Sequence, residues 1–94
     1  MKITECLWLD EFVDKIIRKH RVYPEEVEDV FSRNPLIRRL ESGHVKGEDL
    51  FIAFGTTTSG RYLSVLFVRK TDKRALVISA RKMTKAERKK YGKK

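Results

Sequence analysis

Residues 50–80 of the chain read LFIAFGTTTSGRYLSVLFVRKTDKRALVISA, and this stretch decides the fold. The apolar run at its start predicts a central strand at 49–56 that is buried on both faces. Two further β-rich segments follow, each preceded by a short polar turn of the kind that joins neighbouring strands. We therefore predict an antiparallel meander with strands at 49–56, 61–70 and 74–80 and turns at 57–60 and 71–73.

Upstream of this stretch the apolar residues follow a helical period. The residues that recur on one helix face are Leu9, Phe12, Val13, Ile16 and Ile17. This spacing predicts an amphipathic helix that ends near His20, where basic residues suit the helix dipole. Pro24 suits the first position of a second helix, and Asn34-Pro35 indicates where that helix stops.

The remaining segments complete the predicted fold. Residues 36–41 read as a first strand of the sheet, 42–47 as a loop, and 3–8 could form another short strand. Thr84 and Glu87 match a capping box, which predicts a short basic helix running to about Tyr91. We predict one α+β domain over residues 1–94, with two N-terminal helices packed on a roughly four-stranded antiparallel sheet and a short C-terminal helix.

The composition argues against several kinds of site and segment. The chain has 94 residues, one cysteine and two histidines, which excludes an intrachain disulfide and does not favour a structural zinc site. Cys6 lies in an apolar segment and is interpreted as a packed residue rather than a nucleophile. We see neither the apolar core of a signal peptide nor a membrane span, so we expect a cytoplasmic protein without a membrane partner.

The charge is divided unevenly along the chain. Residues 1–50 hold 9 Lys and Arg against 11 Asp and Glu, whereas residues 51–94 hold 13 against 2. The second half therefore carries a net charge of +11, within a total of +9. A surface that served solubility alone would normally mix both signs. The asymmetry predicts that the C-terminal half faces an anionic partner.

The most specific motif lies near the C-terminus. Ile78-Ser79-Ala80-Arg81 is followed by Thr84, Glu87-Arg88 and Tyr91, an order that resembles the C-terminal signature of the BrnT toxins. Shorter matches to that family occur at Lys19-His20, Pro24-Glu25-Glu26 and Gly60-Arg61. BrnT toxins are RelE-like ribonucleases of type II toxin–antitoxin systems. The resemblance implies a RelE-like fold and an endoribonuclease that slows translation and is silenced by a BrnA-like antitoxin with a DNA-binding domain.

Three positions depart from the family pattern. Arg21 replaces the glycine usual after Lys-His, and Phe12 and Ile16 replace a lysine and an asparagine usual within the first helix. These departures leave open a catalytically inactive RNA- or ribosome-binding module derived from such a toxin. A third interpretation is an interaction protein whose basic surface mainly receives an acidic antitoxin.

RNA can be cleaved without a metal, because its own 2′-OH can attack the neighbouring phosphate. The protein then supplies a base, cations for the charge that builds up on the phosphate, and an acid for the leaving oxygen. Arginine offers planar donors and a permanent charge, so Arg61, Arg81 and Arg88 are candidates to bind and stabilise the phosphate. No metal-binding motif stands out, so we expect neither a metal nor another cofactor.

His20 and Tyr91 are the candidates for proton transfer. An imidazole ordinarily titrates near neutral pH, although a histidine at a helix C-terminus also simply complements the helix dipole. Tyr91 shares a helix face with Arg88 and could stack a base or transfer a proton, or it could pack the helix onto the sheet. The other aromatic residues considered, interpreted as core, are Phe54, Tyr62 and Phe67.

The remaining charged residues have more general interpretations. Electrostatic attraction of RNA is expected from Lys82, Lys85, Lys89 and Lys90, although they could equally be a solvated helix end. Arg61 and Arg81 could be solvated strand-end charges or could pair with an acid of the second helix, and Glu87 is expected to cap its helix. We predict a metal-independent endoribonuclease toxin that cleaves RNA to inhibit translation, with RNA and an antitoxin as partners and the ribosome as a further candidate.

Overall fold

A computed structural model of the chain describes residues 2–41 and 48–92. Within these ranges the chain forms five strands and three helices, in the order β1 (Cys6–Leu7), α1 (Asp10–His20), α2 (Pro24–Ser32), β2 (Leu36–Glu41), β3 (Leu50–Thr56), β4 (Tyr62–Arg69), β5 (Ala75–Lys82) and α3 (Lys85–Gly92). The α+β class and the three predicted helices are confirmed. The loop predicted at 42–47 lies outside the described residues.

The sheet includes the possible short strand at 3–8, which the structure confirms over Cys6–Leu7. Its order is β1-β5-β4-β3-β2, and the strands from β2 to β5 form the predicted antiparallel meander. β1 joins the edge in the parallel direction, with Cys6 opposite Ala75 and Leu7 opposite Leu76. The predicted four-stranded antiparallel sheet is therefore corrected to a five-stranded mixed sheet. The added pairing joins distant parts of the chain, so no local pattern announces it.

The hydrophobic core lies between one face of the sheet and the first two helices. α1 packs against β5, and α2 packs against β3 and β4. Fully buried residues from α1, α2 and the connection between them are Ile16, Val22, Val27 and Val30. On the sheet, fully buried Phe67 stacks on Phe51 at 5.6 Å between ring centroids and meets the edge of Phe31 at 5.1 Å. These contacts confirm the core position of Phe67 and the predicted inward position of Ile16, whereas Leu9, predicted on the same helix face, is exposed at the N-cap of α1.

The turn between α1 and α2 sets the position of the end of α1. Arg21 adopts a left-handed conformation, with φ of 52°, and its N–H donates to the carbonyl of Ile17 at 3.0 Å. This conformation favours glycine, so Arg21 occupies a backbone position that suits the glycine for which the sequence comparison above notes a replacement. Val22 follows and is fully buried, which returns the chain to the core.

The third helix lies on the other face of the sheet. Along β3, Phe51, Ala53 and Gly55 face α1 and α2, so Ile52 and Phe54 point the opposite way, where α3 contacts β3. The predicted capping box is confirmed: the Thr84 N–H donates to Glu87 at 2.9 Å and the Glu87 N–H donates to Thr84 Oγ1 at 3.1 Å. Every residue of α3 falls in the described range, and none is buried.

The observed strand ends differ from the predicted ones at both Arg61 and Arg81. Arg61 precedes β4 instead of beginning it, because its N–H donates to Thr57 Oγ1 at 3.0 Å and its carbonyl accepts from the Thr57 N–H at 2.9 Å, closing the turn. Arg81 lies within β5 instead of after it, since the ladder continues and pairs Arg81 with Ser64. Both arginines are thereby held at the same end of the β4–β5 pair.

Candidate functional site

Basic residues from three parts of the chain line an open groove of about 540 Å³. Lys19-His20-Arg21 lies at the end of α1, Arg61 precedes β4, and Arg81-Lys82 ends β5. They meet because α1 packs against β5 and β5 pairs with β4. We call this surface the basic groove. Of the candidate site residues, it brings together His20, Arg61, Arg81 and Lys82.

Arg61 is anchored to the first turn of α2. Its Nη1 atom donates to both carboxylate oxygens of Glu26, each at 2.7 Å, and to the carbonyl of Arg21 at 3.0 Å. Glu26 also accepts the N–H of Tyr23 at 3.1 Å, so one carboxylate caps α2 and positions the guanidinium. The expectation that Arg61 could pair with an acid of the second helix is confirmed.

Arg81 is anchored to the first turn of α3. Its Nη1 and Nη2 atoms donate to the two carboxylate oxygens of Glu87 at 2.7 and 2.8 Å, a bidentate ion pair. Glu87 also accepts from the Ser64 hydroxyl at 3.0 Å and from the Thr84 N–H. The hydrogen bond from Arg81 is the largest cause that lowers the pKa of Glu87 to about 2, and the same bond raises the pKa of Arg81. The pair therefore stays ionised at any physiological pH.

These ion pairs orient the arginines and leave donors for an anion. A guanidinium has five N–H groups. In the described ranges, no hydrogen bond uses the Nε or Nη2 atoms of Arg61 or the Nε atom of Arg81. In the same ranges no ion pair involves the flanking cations of the groove, which are Lys19, Arg21 and Lys82. The groove thus keeps a positive balance, with side chains suited to a phosphate.

The comparison with known families agrees with this chemistry. The sequence model of a family described as "Ribonuclease toxin, BrnT, of type II toxin-antitoxin system" matches residues 8–87. The chain belongs to this BrnT family. The matched range includes the whole basic groove together with Glu26 and Glu87, and it ends just before Arg88. Membership in a type II toxin–antitoxin family implies ribonuclease activity in the family and a cognate antitoxin as partner. No curated protein matches the chain.

Arg88 lies on α3, beside the basic groove. It lines a smaller concavity of about 280 Å³, here called the side groove, with Gly60, Arg61, Tyr62, Lys82 and Met83. The guanidinium carbon of Arg88 lies over the Tyr62 ring, 4.0 Å from its centroid. Tyr62 was expected in the core, yet it is half-buried because it stands at the first position of β4, at the rim of the sheet.

Tyr91 lies away from the basic groove. Its ring meets the edge of Tyr62 at 6.1 Å, which matches the predicted packing role. Together with Lys89 and Lys90 it lines a third, larger groove of about 820 Å³ on the α3 face of the sheet, whose apolar residues include Leu36, Leu40, Ile52 and Phe54. Lys85 is exposed at the first position of α3. Of the predicted RNA-binding lysines, only Lys82 joins the basic groove.

Sequence reasoning missed three residues that line the grooves. From the sequence, Lys19 is explained by the helix dipole and Arg21 is noted only as a departure from the family pattern. The run Lys19-His20-Arg21 nevertheless places three basic groups together. Tyr62 directly follows Arg61, and an aromatic residue beside an arginine at a strand start was a usable signal for a binding surface.

Three further features of the described residues lie outside the grooves. Across residues 2–41 and 48–92, no group of three or more His, Cys, Asp or Glu side chains is placed to hold a metal ion. Burial, followed by the charges of Glu28 and Glu5, raises the pKa of Cys6 to about 12, so this thiol is a poor nucleophile, in line with its predicted packing role. No helix in the described part of the chain is long and apolar enough to cross a membrane.

Proposed function

We propose that this chain is a metal-independent endoribonuclease toxin that cuts RNA in the basic groove and thereby inhibits translation. The observation that carries the proposal is the meeting of His20, Arg61 and Arg81, from three separate elements, in one open concavity. Family membership supplies the ribonuclease class. The positive balance of the groove supports an RNA phosphate as its ligand.

The proposed reaction uses the 2′-OH of the RNA as nucleophile. His20 in its neutral form accepts the 2′-OH proton while that oxygen bonds to the adjacent phosphorus. Arg61 and Arg81 donate to the phosphate oxygens, on which negative charge accumulates in the transition state. The bond from phosphorus to the 5′-oxygen then breaks, and the leaving oxygen takes a proton from water in the open groove. The hydroxide that this leaves takes the proton held by His20, which returns to its neutral form. The products are a 2′,3′-cyclic phosphate and a 5′-hydroxyl.

Glu26 and Glu87 act as positioning residues in this scheme. Each holds an arginine by a charged hydrogen bond of 2.7 Å and is itself fixed at the start of a helix. An arginine that is oriented before RNA binds loses less side-chain freedom at the moment of reaction. The two carboxylates therefore support catalysis without touching the substrate.

The direct test incubates purified protein with RNA, with and without a chelator of divalent metals. We expect equal cleavage in both samples and RNA ends that carry a 2′,3′-cyclic phosphate. Arg74→Ala is a matched control for the variant Arg81→Ala, since Arg74 directly precedes β5, is ion-paired and has the same 39% side-chain exposure as Arg81, but lies outside the basic groove. Absence of cleavage in both samples by correctly folded protein would contradict the proposal.

The second candidate is an RNA-binding module without catalysis. It is favoured by one observation, that both arginines are already ion-paired with carboxylates. The variant Arg81→Ala separates the two candidates. Loss of cleavage with RNA affinity mostly retained indicates chemistry, whereas equal loss of both indicates a binding role.

We also propose that the cognate antitoxin carries a DNA-binding domain and silences the toxin by covering the basic groove with an acidic segment. The charge of the groove supports this choice, because an acidic peptide competes with RNA for the same cations. Induction of the chain alone should arrest cell growth, and Arg81→Ala or co-expression of the antitoxin should relieve the arrest. Growth arrest that persists in Arg81→Ala would contradict both the proposal that the basic groove cuts RNA and the proposal that the antitoxin acts by covering it.

A further inference from the structure

The side groove contains a flat cation backed by an aromatic ring. The guanidinium carbon of Arg88 lies 4.0 Å from the centroid of Tyr62, and Tyr91 supports the Tyr62 ring from its edge at 6.1 Å and 85°. Tyr62 is fixed in the sheet, where it pairs with Thr56. The stack therefore holds Arg88 in a defined place, although Arg88 itself is an exposed residue.

Arg88 differs from the arginines of the basic groove in its partners. Arg61 and Arg81 are held by carboxylates, whereas within residues 2–41 and 48–92 no carboxylate pairs with Arg88. Its contact there is the Tyr62 ring. A cation–π contact leaves the charge and the outer face of the guanidinium available to a ligand.

The side groove and the basic groove adjoin each other. Arg61 and Lys82 line both, so a ligand bound to these two residues reaches each concavity. An RNA chain presents a phosphate and, one sugar away, a base with two flat faces. Bases of single-stranded RNA commonly stack on aromatic rings or on arginine planes.

We propose that the side groove is a nucleobase subsite, in which a base next to the bound phosphate stacks on the guanidinium of Arg88. This inference rests on the proposed RNA-binding function of the basic groove. It assigns Arg88 to base stacking instead of the phosphate contact expected from sequence. Because stacking needs a planar group, Lys at this position keeps the charge and loses the subsite. Stacking tolerates any base, so the site favours single-stranded RNA without demanding one sequence.

The test compares two ligands that share one backbone. The first is a short 2′-O-methyl oligoribonucleotide, which cannot be cut through the 2′-OH, and the second is the same backbone without bases. Both carry equal phosphate charge, so the ratio of their affinities reports base contacts alone. We expect the chain to bind the first about 10-fold more tightly than the second. In Arg88→Lys and in Tyr62→Leu this ratio should fall close to one, whereas Tyr62→Phe should retain it.

Each outcome has a distinct meaning. If the stack only fastens α3 to the sheet, Arg88→Lys and Tyr62→Leu will melt at lower temperature while the affinity ratio stays at its original value, and the subsite is refuted. Equal binding of both ligands by the unmodified chain refutes it as well. Failure to bind either ligand at low salt refutes the RNA-binding function on which the subsite rests. Binding with the expected ratio but without RNA cleavage keeps the subsite and removes the catalytic proposal.

The control variant is Lys89→Ala, which removes a cation from α3 outside both RNA-facing grooves. It should weaken binding of the two oligonucleotides by the same factor, because a lysine near RNA acts mainly through the backbone charge. A change in the affinity ratio for this variant would show that the ratio does not report stacking on Arg88.

Discussion

The Arg61–Glu26 and Arg81–Glu87 pairs place similar chemistry on two very different helices. In each pair a glutamate in the third position of a helix caps the helix start and holds an arginine of the basic groove at 2.7 Å. The glutamates are also almost equally exposed, at 21% for Glu26 and 20% for Glu87. The helices, however, are unlike: α2 buries Val27 and Val30 in the core, whereas α3 has no buried residue.

The two pairs therefore differ in which part is fixed first: α2 positions Arg61, whereas the contact with Arg81 helps to hold α3. Packing fixes α2, and α2 then places Glu26 beside Arg61. In α3, which has no buried residue, Glu87 joins the helix to Arg81 and Ser64 of the sheet, and Arg88 and Tyr91 contact the ring of Tyr62. An ion pair of this kind is expected to stabilise its helix by only a modest amount when its partners are partly exposed. We expect the Arg81 side of the groove to be the more easily altered of the two.

The largest effects are expected from removing the arginines themselves. Under the proposed mechanism, Arg61→Ala and Arg81→Ala should each lower kcat/KM for RNA cleavage by about 100- to 1000-fold, the usual cost of losing one oxyanion donor. Single-turnover kinetics on a defined RNA measures this loss. If only one of the two variants loses activity, the groove does not act as a paired phosphate site, and the two arginines do not share one role.

A smaller effect on stability is expected from crowding the α2 side. A Cβ atom at Gly55 would lie 2.8 Å from Val30 Cγ1 and 3.3 Å from Pro35 Cβ, so Gly55→Ala forces α2 away from β3. We expect a loss of about 1–3 kcal/mol in the free energy of unfolding, measured by urea denaturation. Gly92→Ala is the control, because nothing lies within 4 Å of its Cβ position, and it should not lower the free energy of unfolding.

Neutralising the two glutamates compares the pairs directly. Glu87→Gln removes the charged acceptor of Arg81, Ser64 and Thr84, and it should lower the free energy of unfolding by about 1–2 kcal/mol. We further expect the α3 amides to lose protection from hydrogen exchange in this variant. Glu26→Gln should leave the α2 amides protected, because buried valines hold that helix. Equal loss of protection in both helices would contradict the proposed difference in support.

Most of the fold was predictable because its signals are local. The period of the apolar residues, Pro24 and the Thr84–Glu87 capping box each identify an element from a few neighbouring residues. The pairing of β1 with β5 was missed for the opposite reason. Residues 3–8 read as a possible short strand, but the partner of Cys6–Leu7 lies near the other end of the chain and no local pattern identifies it.

The candidate site was predictable in its residues and less so in their partners. His20, Arg61 and Arg81 were singled out, but their meeting depends on α1 packing against β5, which no spacing along the chain reveals. Glu87 was expected as a cap, and its second role in holding Arg81 required the extension of β5 to Lys82. An aromatic residue in a β-rich segment favours a core position, but Tyr62 lies at the rim of the sheet because β4 begins there.

The smallest expected effect concerns pH and arises from Glu87. Its pKa is lowered from an ordinary 4.5 to about 2 in the folded chain, chiefly by the hydrogen bond from Arg81. A carboxyl group whose pKa is depressed by folding contributes stability that is present above the unfolded pKa. This contribution is lost as the pH falls from about 4.5 toward 2, because the folded state must then accept a proton that the pair opposes.

The difference in stability between the unmodified chain and Glu87→Gln should therefore shrink on acidification. We expect it to narrow by about 1 kcal/mol between pH 6 and pH 2.5, after allowance for the solvent exposure of Arg81, as measured by urea denaturation at each pH. Asp29 also has a lowered pKa, caused first by the N–H of Thr58, but both proteins retain it and its effect cancels. If the difference in free energy of unfolding stays constant over this range, the charge of Glu87 contributes little and α3 is held mainly by Tyr62 and its neighbours. Packing would then fix α3 as it fixes α2.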